Sequence, residues 1–83
     1  MKKTIDYEQV VSRVLSEDIL SLSQAQKELQ TLTGHRTDKG TIIRWIRKGV
    51  GGIKLEGVRL GGRSIFTSAQ ALNRFIQQRT ASL

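Results

Sequence analysis

Arg44, Arg47 and Lys48 stand close together in the stretch TIIRWIRKGVGG, Thr41 to Gly52, and Arg36 and Lys39 lie just upstream. Guanidinium and ammonium groups gathered in this way attract anions, and a phosphate polymer is the anion that engages several of them at once. Their spacing says how they are presented. With Ile42 set at zero and a step of about 100° per residue, Ile46 falls near 40° and Trp45 near 300°, so three apolar side chains share one helix face. Arg47 at about 140°, Arg44 at about 200°, Lys48 at about 240° and Thr41 at about 260° occupy the opposite face, with Gly40 at about 160° among them. That second face contains no acid.

A helix surface without a function usually mixes charge signs, because opposite charges at i, i+4 stabilise it and like charges there cost a few tenths of a kcal/mol. Arg44 and Lys48 are such a like pair. The helix macrodipole favours Arg47 and Lys48 near a C-terminus without any ligand, but it accounts for neither Arg44 nor the upstream Arg36 and Lys39. The expectation is a nucleic-acid surface. A helix of about ten residues, opening on the small Gly40 and the hydroxyl of Thr41, fits a B-DNA major groove about 12 Å wide. Arginine reads guanine O6 and N7 bidentately, which makes Arg44 the expected base reader, with Lys48 on phosphate and Arg47 suited to either task.

Residues for other chemistry are sparse. His35 is the single histidine and there is no cysteine, so a metal site lacks its usual ligands, and His35 reads as a solvated turn residue. The segment GHRTDKGT is not a phosphate-binding P-loop, because its lysine precedes Gly40 and no strand leads into it. Asp6, Glu8, Glu17, Asp18, Glu28, Asp38 and Glu56 are expected on exposed helix faces or in turns, with no pair converging as general acid and base. No enzyme activity, cofactor or metal is expected.

The elements that must position the basic helix follow from periodicity. Tyr7, Val10, Val11 and Val14 recur at helical spacing, and Asp6 with Gln9 has the form of a capping box, which predicts a short helix over 6–15. This helix either packs on the domain or meets a partner. Leu22, Ala25, Leu29 and Leu32 predict a second helix over 23–32, with Ser21 or Ser23 as N-cap and Gly34 as terminator. A polar link over about 33–37 leads to Asp38 as N-cap of the basic helix, 39–48, and Gly49 suits its left-handed C′ position.

Beyond VGG the pattern changes. Ile53, Leu55, Val58, Leu60 and Ile65 alternate with polar residues, which predicts strands. VRLGGRSIF reads as a hairpin with Gly61 and Gly62 in a type I′ turn, a register that sets Leu60 opposite Arg63 and Val58 opposite Ile65. Thr67 with Gln70 forms a second capping box, and Ala69, Leu72, Phe75 and Ile76 give the closing helix one apolar face. None of these helices is long enough to stand alone, so they must share a core, expected around Trp45.

Composition bounds the rest. A chain of 83 residues without a repeat has room for one domain. It reads as an N-terminal extension over 1–16, a folded unit over 17–79 and a frayed tail over 80–83. With no cysteine and no long apolar run, it is expected to be a cytoplasmic protein stabilised by apolar burial, with no membrane contact. The formal charge of +7 is unevenly placed: net −1 over residues 1–35, +6 over 36–63 and +2 over 64–83. Positive potential concentrated on one segment points to a polyanionic partner.

The pattern LSLSQAQKELQ … TIIRWIRKGV … VRLGGRSIFTSAQALNRFI resembles the excisionase and MerR-like winged helix-turn-helix domains, and looks closest to a small bacterial subfamily of unassigned function among them. Leu22 and Ala25 match the first helix of those families. Thr41, Arg44, Trp45 and Gly49 match their recognition helix, Gly61, Gly62 and Arg63 their wing, and Ala71, Leu72, Phe75 and Ile76 their closing helix. The resemblance implies a mainly α fold with a small β-hairpin wing. It implies that Thr41, Arg44 and Arg47 face the major groove and that the Gly-Gly wing with Arg63 approaches the backbone or minor groove. The link between the two central helices is longer than the three or four residues of the standard turn.

The expected function is double-stranded DNA binding, by a transcriptional regulator or a recombination accessory factor, through Arg36, Lys39, Thr41, Arg44, Arg47, Lys48, Arg59 and Arg63 with the wing turn Gly61-Gly62. A single module contacts only a few base pairs, which suggests a homodimer or cooperative tandem binding, with the N-terminal helix as a candidate contact. Two alternatives use the same fold: a protein-interaction adaptor, and a small subunit of phage DNA packaging.

Overall fold

The structure, a computed structural model, describes residues 7–62 and 64–83. Asp6, the expected cap, and Arg63, expected in a wing, lie outside the described residues. Four helices and a three-stranded antiparallel sheet form one mixed α/β unit, in the order α1 (Tyr7–Leu15), β1 (Ile19–Ser21), α2 (Leu22–Thr33), α3 (Lys39–Arg47), β2 (Val58–Gly61), β3 (Ser64–Ser68) and α4 (Ala69–Ala81).

The periodicity predicts a mainly α fold with two strands, and β1 is a third. It is three residues long, too short for an alternation to register. It supplies the second edge of the sheet: β3 is central, pairing Leu20 with Thr67 on one side and Val58 with Phe66 on the other. Two helices spring directly from neighbouring strands. Ser21 ends β1 and caps α2 in a reciprocal box, its hydroxyl accepting from the Gln24 amide at 3.2 Å while Gln24 Oε1 accepts from the Ser21 amide at 2.9 Å. Ser68 ends β3 and caps α4, accepting from the Ala71 amide at 2.9 Å.

Ser68 therefore replaces Thr67 as the cap of α4. Thr67 is fully buried on β3 and donates to the Glu56 carbonyl at 2.7 Å. Gln70, the other half of the expected box, instead clamps Asp18, accepting from its amide at 3.1 Å and donating to its carboxylate at 2.9 Å. The closing helix also runs to Ala81, two residues into the segment expected to fray.

The core consists of Ala25 and Leu29 of α2, Ile42 of α3, Leu55, and Ala71, Leu72 and Phe75 of α4. Trp45 is not its centre. It is half-buried and packs at the margin, its ring centroid 5.0 Å from that of Phe75. The N-terminal helix α1 folds onto the sheet and buries Val14 completely, while Tyr7 and Val11 of the expected stripe face outward.

Candidate nucleic-acid interface

The expected basic helix exists as α3, and its two faces separate as the wheel requires. Ile42 is fully buried and Trp45 and Ile46 are half-buried, while Gly40, Arg44, Arg47 and the C-cap residue Lys48 are exposed and Thr41 is half-buried. Lys39, in the first turn, and Arg36, in the link before it, are also exposed. The link is residues 34–38, and the Gln26 side chain holds it to α2 by donating to the Thr37 carbonyl at 2.9 Å. Gly34 closes α2 with φ +77°, a left-handed conformation that glycine adopts at little cost. Asp38 occupies the N-cap of α3, but its side chain makes no capping hydrogen bond.

The C-terminal end of α3 is held tightly. The Arg44 carbonyl accepts from the amides of Lys48 and Gly49, at 2.8 and 3.0 Å, and Gly49 turns the chain out of the helix with φ +77°. The chain then doubles back: Val50 and Ile53 exchange backbone hydrogen bonds of 2.8 and 3.0 Å across Gly51 and Gly52, whose φ values of +58° and +83° are those of a type I′ pair. The Leu55 amide donates to the Trp45 carbonyl at 3.1 Å, satisfying one of the carbonyls a helix end leaves open. This loop fixes where the β2–β3 hairpin starts relative to α3.

The type I′ pair thus sits at Gly51-Gly52 and not at Gly61-Gly62. In the hairpin the register is Val58↔Phe66, Arg59↔Ile65 and Gly61↔Ser64, with a bulge between Arg59 and Gly61. The expected pairing of Val58 with Ile65 is one residue out, and the turn falls one position later, after Gly61. The strand pattern expected from Ile53 onward also starts late, since β2 begins at Val58 and residues 54–57 are irregular. Arg59 is exposed on β2, and Gly61 and Gly62 are exposed at the tip.

Among the described residues, no ion pair involves Arg36, Lys39, Arg44, Arg47, Lys48 or Arg59. Two of the acids are engaged elsewhere. Glu17 and Glu56 are not scattered on exposed surfaces: both converge on Arg74 of α4, which donates to Glu17 at 2.6 and 3.1 Å and to Glu56 at 2.7 Å, while Arg13 of α1 also pairs with Glu56. The Ser68 hydroxyl donates to Glu17 at 2.6 Å. The Arg74 hydrogen bond, reinforced by Ser68 and by the positive charge of Arg74 and Arg13, holds the Glu17 carboxyl below its ordinary range against the opposing effect of burial. The same contacts, Glu17 first, raise Arg74 above the ordinary arginine value. With each carboxylate matched by a guanidinium, this cluster has no spare group for acid–base work.

One cation belongs beside the expected set. Lys54 is exposed, and its side-chain stem lies over Gly49 at the end of α3, so that a Cβ at Gly49 would come within 2.8 Å of its Cγ. The sequence places Lys54 in an apparent strand alternation; the turn at Gly51-Gly52 folds it back towards Gly49.

The comparison with known families bears on this segment. The profile of a family described as "protein of unknown function (DUF1580)" matches residues 25–80. The chain belongs to that family. The matched region runs from within α2 to near the end of α4, so α3 and the hairpin fall inside it while α1 and β1 lie outside. No curated protein and no solved structure matches the chain. No helix among the described residues is long and apolar enough to cross a membrane.

Proposed function

We propose that the protein binds double-stranded DNA as a winged helix-turn-helix module of the excisionase/MerR-like type, acting as a transcriptional regulator or a recombination accessory factor. In this reading α2 and α3 are the paired helices, α3 enters the major groove and the β2–β3 hairpin is the wing. The observation that carries it is the outward face of α3, where Arg44, Arg47 and Lys48 are exposed and unpaired while Ile42 behind them is fully buried. Packing explains Ile42 and leaves the cations unexplained. Three guanidinium or ammonium groups on an acid-free face repel one another, and phosphate is the counter-charge that relieves this.

Arg44 projects near the middle of the exposed face and serves as the base reader. Lys48 and Lys54 at its C-terminal end, with Arg36 and Lys39 at the other, serve phosphates on either side of the groove. Arg59 adds a backbone contact from the wing. Selection of bound duplexes from a random pool tests this directly: an enriched site of a few base pairs is expected, and a pool that stays random through successive rounds contradicts sequence-specific recognition.

A second surface favours self-association alongside DNA binding. Tyr7, Val11 and Leu15 lie one helical turn apart on α1 and are 70%, 38% and 44% exposed. Contact between two copies there would pair two short recognition modules. Val11→Asp should then abolish cooperativity on DNA while leaving single-site affinity unchanged; if oligomeric state and cooperativity are the same in both proteins, the stripe has no such role.

A further inference from the structure

Leu60 occupies an unusual place. In the hairpin register Arg59 faces Ile65 and Gly61 faces Ser64, so Leu60 is the extra residue of a β-bulge with no partner across the ladder. A bulge bends its strand and re-aims a side chain. By simple alternation Leu60 would share the face of the buried Val58, yet it is 55% exposed. It is followed by Gly61 and Gly62, around which a Cβ would meet nothing within 4 Å. Leu60 is thus a bulky apolar group held out beside the exposed Arg59, with open space around the two glycines that follow it.

The electrostatic setting limits what this leucine can meet. Residues 57–83 contain no acid, and Arg59 has no ion pair among the described residues. An apolar group framed by unneutralised positive charge is suited to a surface that is anionic at its rim and apolar within. A duplex minor groove has that character, with phosphates along its edges, a width of about 6 Å and stacked base faces that an apolar wedge can part.

We infer that Leu60 is a minor-groove wedge: the wing enters the groove, Arg59 engages the phosphates, and the Leu60 side chain inserts at a base step and kinks the duplex. This deepens the DNA-binding reading and rests on it. A flexible pyrimidine–purine step is the expected point of entry, because such steps unstack most readily.

The test uses the full chain and duplexes of about 24 base pairs recovered from the random pool, or mixed-sequence duplexes if none is enriched, with 2-aminopurine replacing one adenine at a time. Unstacking raises its fluorescence, and anisotropy on the same duplex reports binding. With the unmodified protein, one step should brighten severalfold on binding. Leu60→Ala should lose that rise and bind about 3- to 30-fold more weakly, Leu60→Met should retain it, and all three should unfold at the same temperature because the side chain supports no core. If the protein binds without brightening any step, or Leu60→Ala brightens the same step equally, the wedge is wrong and DNA binding stands. If no duplex is bound, the DNA-binding reading itself fails and the wedge with it.

Discussion

Arg74 and Glu17, 57 positions apart in the chain, meet through two hydrogen bonds of 2.6 and 3.1 Å. Because Arg74 also holds Glu56, and Glu56 holds Arg13, this contact fastens α1, the turn before β1, the loop before β2 and α4 to one another. The fork is partly solvated, with side-chain exposures of 35% at Arg74 and 14% at Glu17, so its worth lies between that of a surface pair and a buried one. Arg74→Leu should lower stability by about 2 kcal/mol, and the unfolding midpoint by about 10 °C. Calorimetry measures this. DNA affinity at a temperature where both proteins are folded should be unchanged, because no member of the cluster lies on the exposed face of α3.

The same cluster predicts an acid limit. The folded Glu17 carboxyl titrates below its ordinary value of 4.5, so its stabilisation is fully present above that pH and is lost as pH falls through the lowered folded value. The unfolding midpoint should decline below about pH 4.5. Glu17→Gln should be less stable at neutral pH and show a shallower decline in acid; an identical slope in the two proteins would remove Glu17 as its source.

Two glycines separate backbone strain from collision. Gly34 and Gly49 both have φ +77°, but a Cβ at Gly34 meets open space whereas at Gly49 it collides with the Ile53 carbonyl. Gly34→Ala should cost about 1 kcal/mol and Gly49→Ala about 3 kcal/mol. Chemical denaturation gives both values, and equal losses would mean that the loop after α3 yields freely.

The helices were legible because each carries its own period. Asp38, Gly34 and Gly49 mark their ends at positions the sequence announces, and the apolar face of α3 is readable from three residues. The differences depend on backbone pairing that identical dipeptides do not distinguish, or on partners distant in the chain. Gly51-Gly52 and Gly61-Gly62 are the same dipeptide, and the backbone exchange between Val50 and Ile53 marks the first as the type I′ turn. Thr67 and Ser68 are both competent caps, and burial against the Glu56 carbonyl selects Thr67 for the sheet. Glu17, Glu56 and Arg74 carry no local signal of their meeting, since the closest approach in sequence is 18 positions. Within the candidate site, the cations of α3 were visible from the absence of acids, while Lys54 was not, because the reversal that returns it to α3 is a property of the folded loop.

The exposed cations of α3 should divide their tasks. Arg44→Ala should lower affinity for a selected site by about 1–3 kcal/mol while barely changing affinity for unrelated duplex, so that discrimination collapses. Lys48→Ala should weaken every sequence alike and reduce the salt slope by about one. Competition binding distinguishes these patterns, and equal, sequence-independent losses in both would deny Arg44 a base-reading role.

The proposed meeting of phosphate with the outward face of α3 is tested by fluorescence anisotropy of the full chain with mixed-sequence duplex DNA across a salt series. Log affinity should fall linearly with log salt, with a slope of about −3.5 to −5.5 for four to six phosphates neutralised, and the double substitution Arg44→Glu, Arg47→Glu should abolish binding without unfolding the protein. Undetectable binding at low salt, an affinity independent of salt, or a charge-reversed α3 that binds as tightly as the original would contradict it.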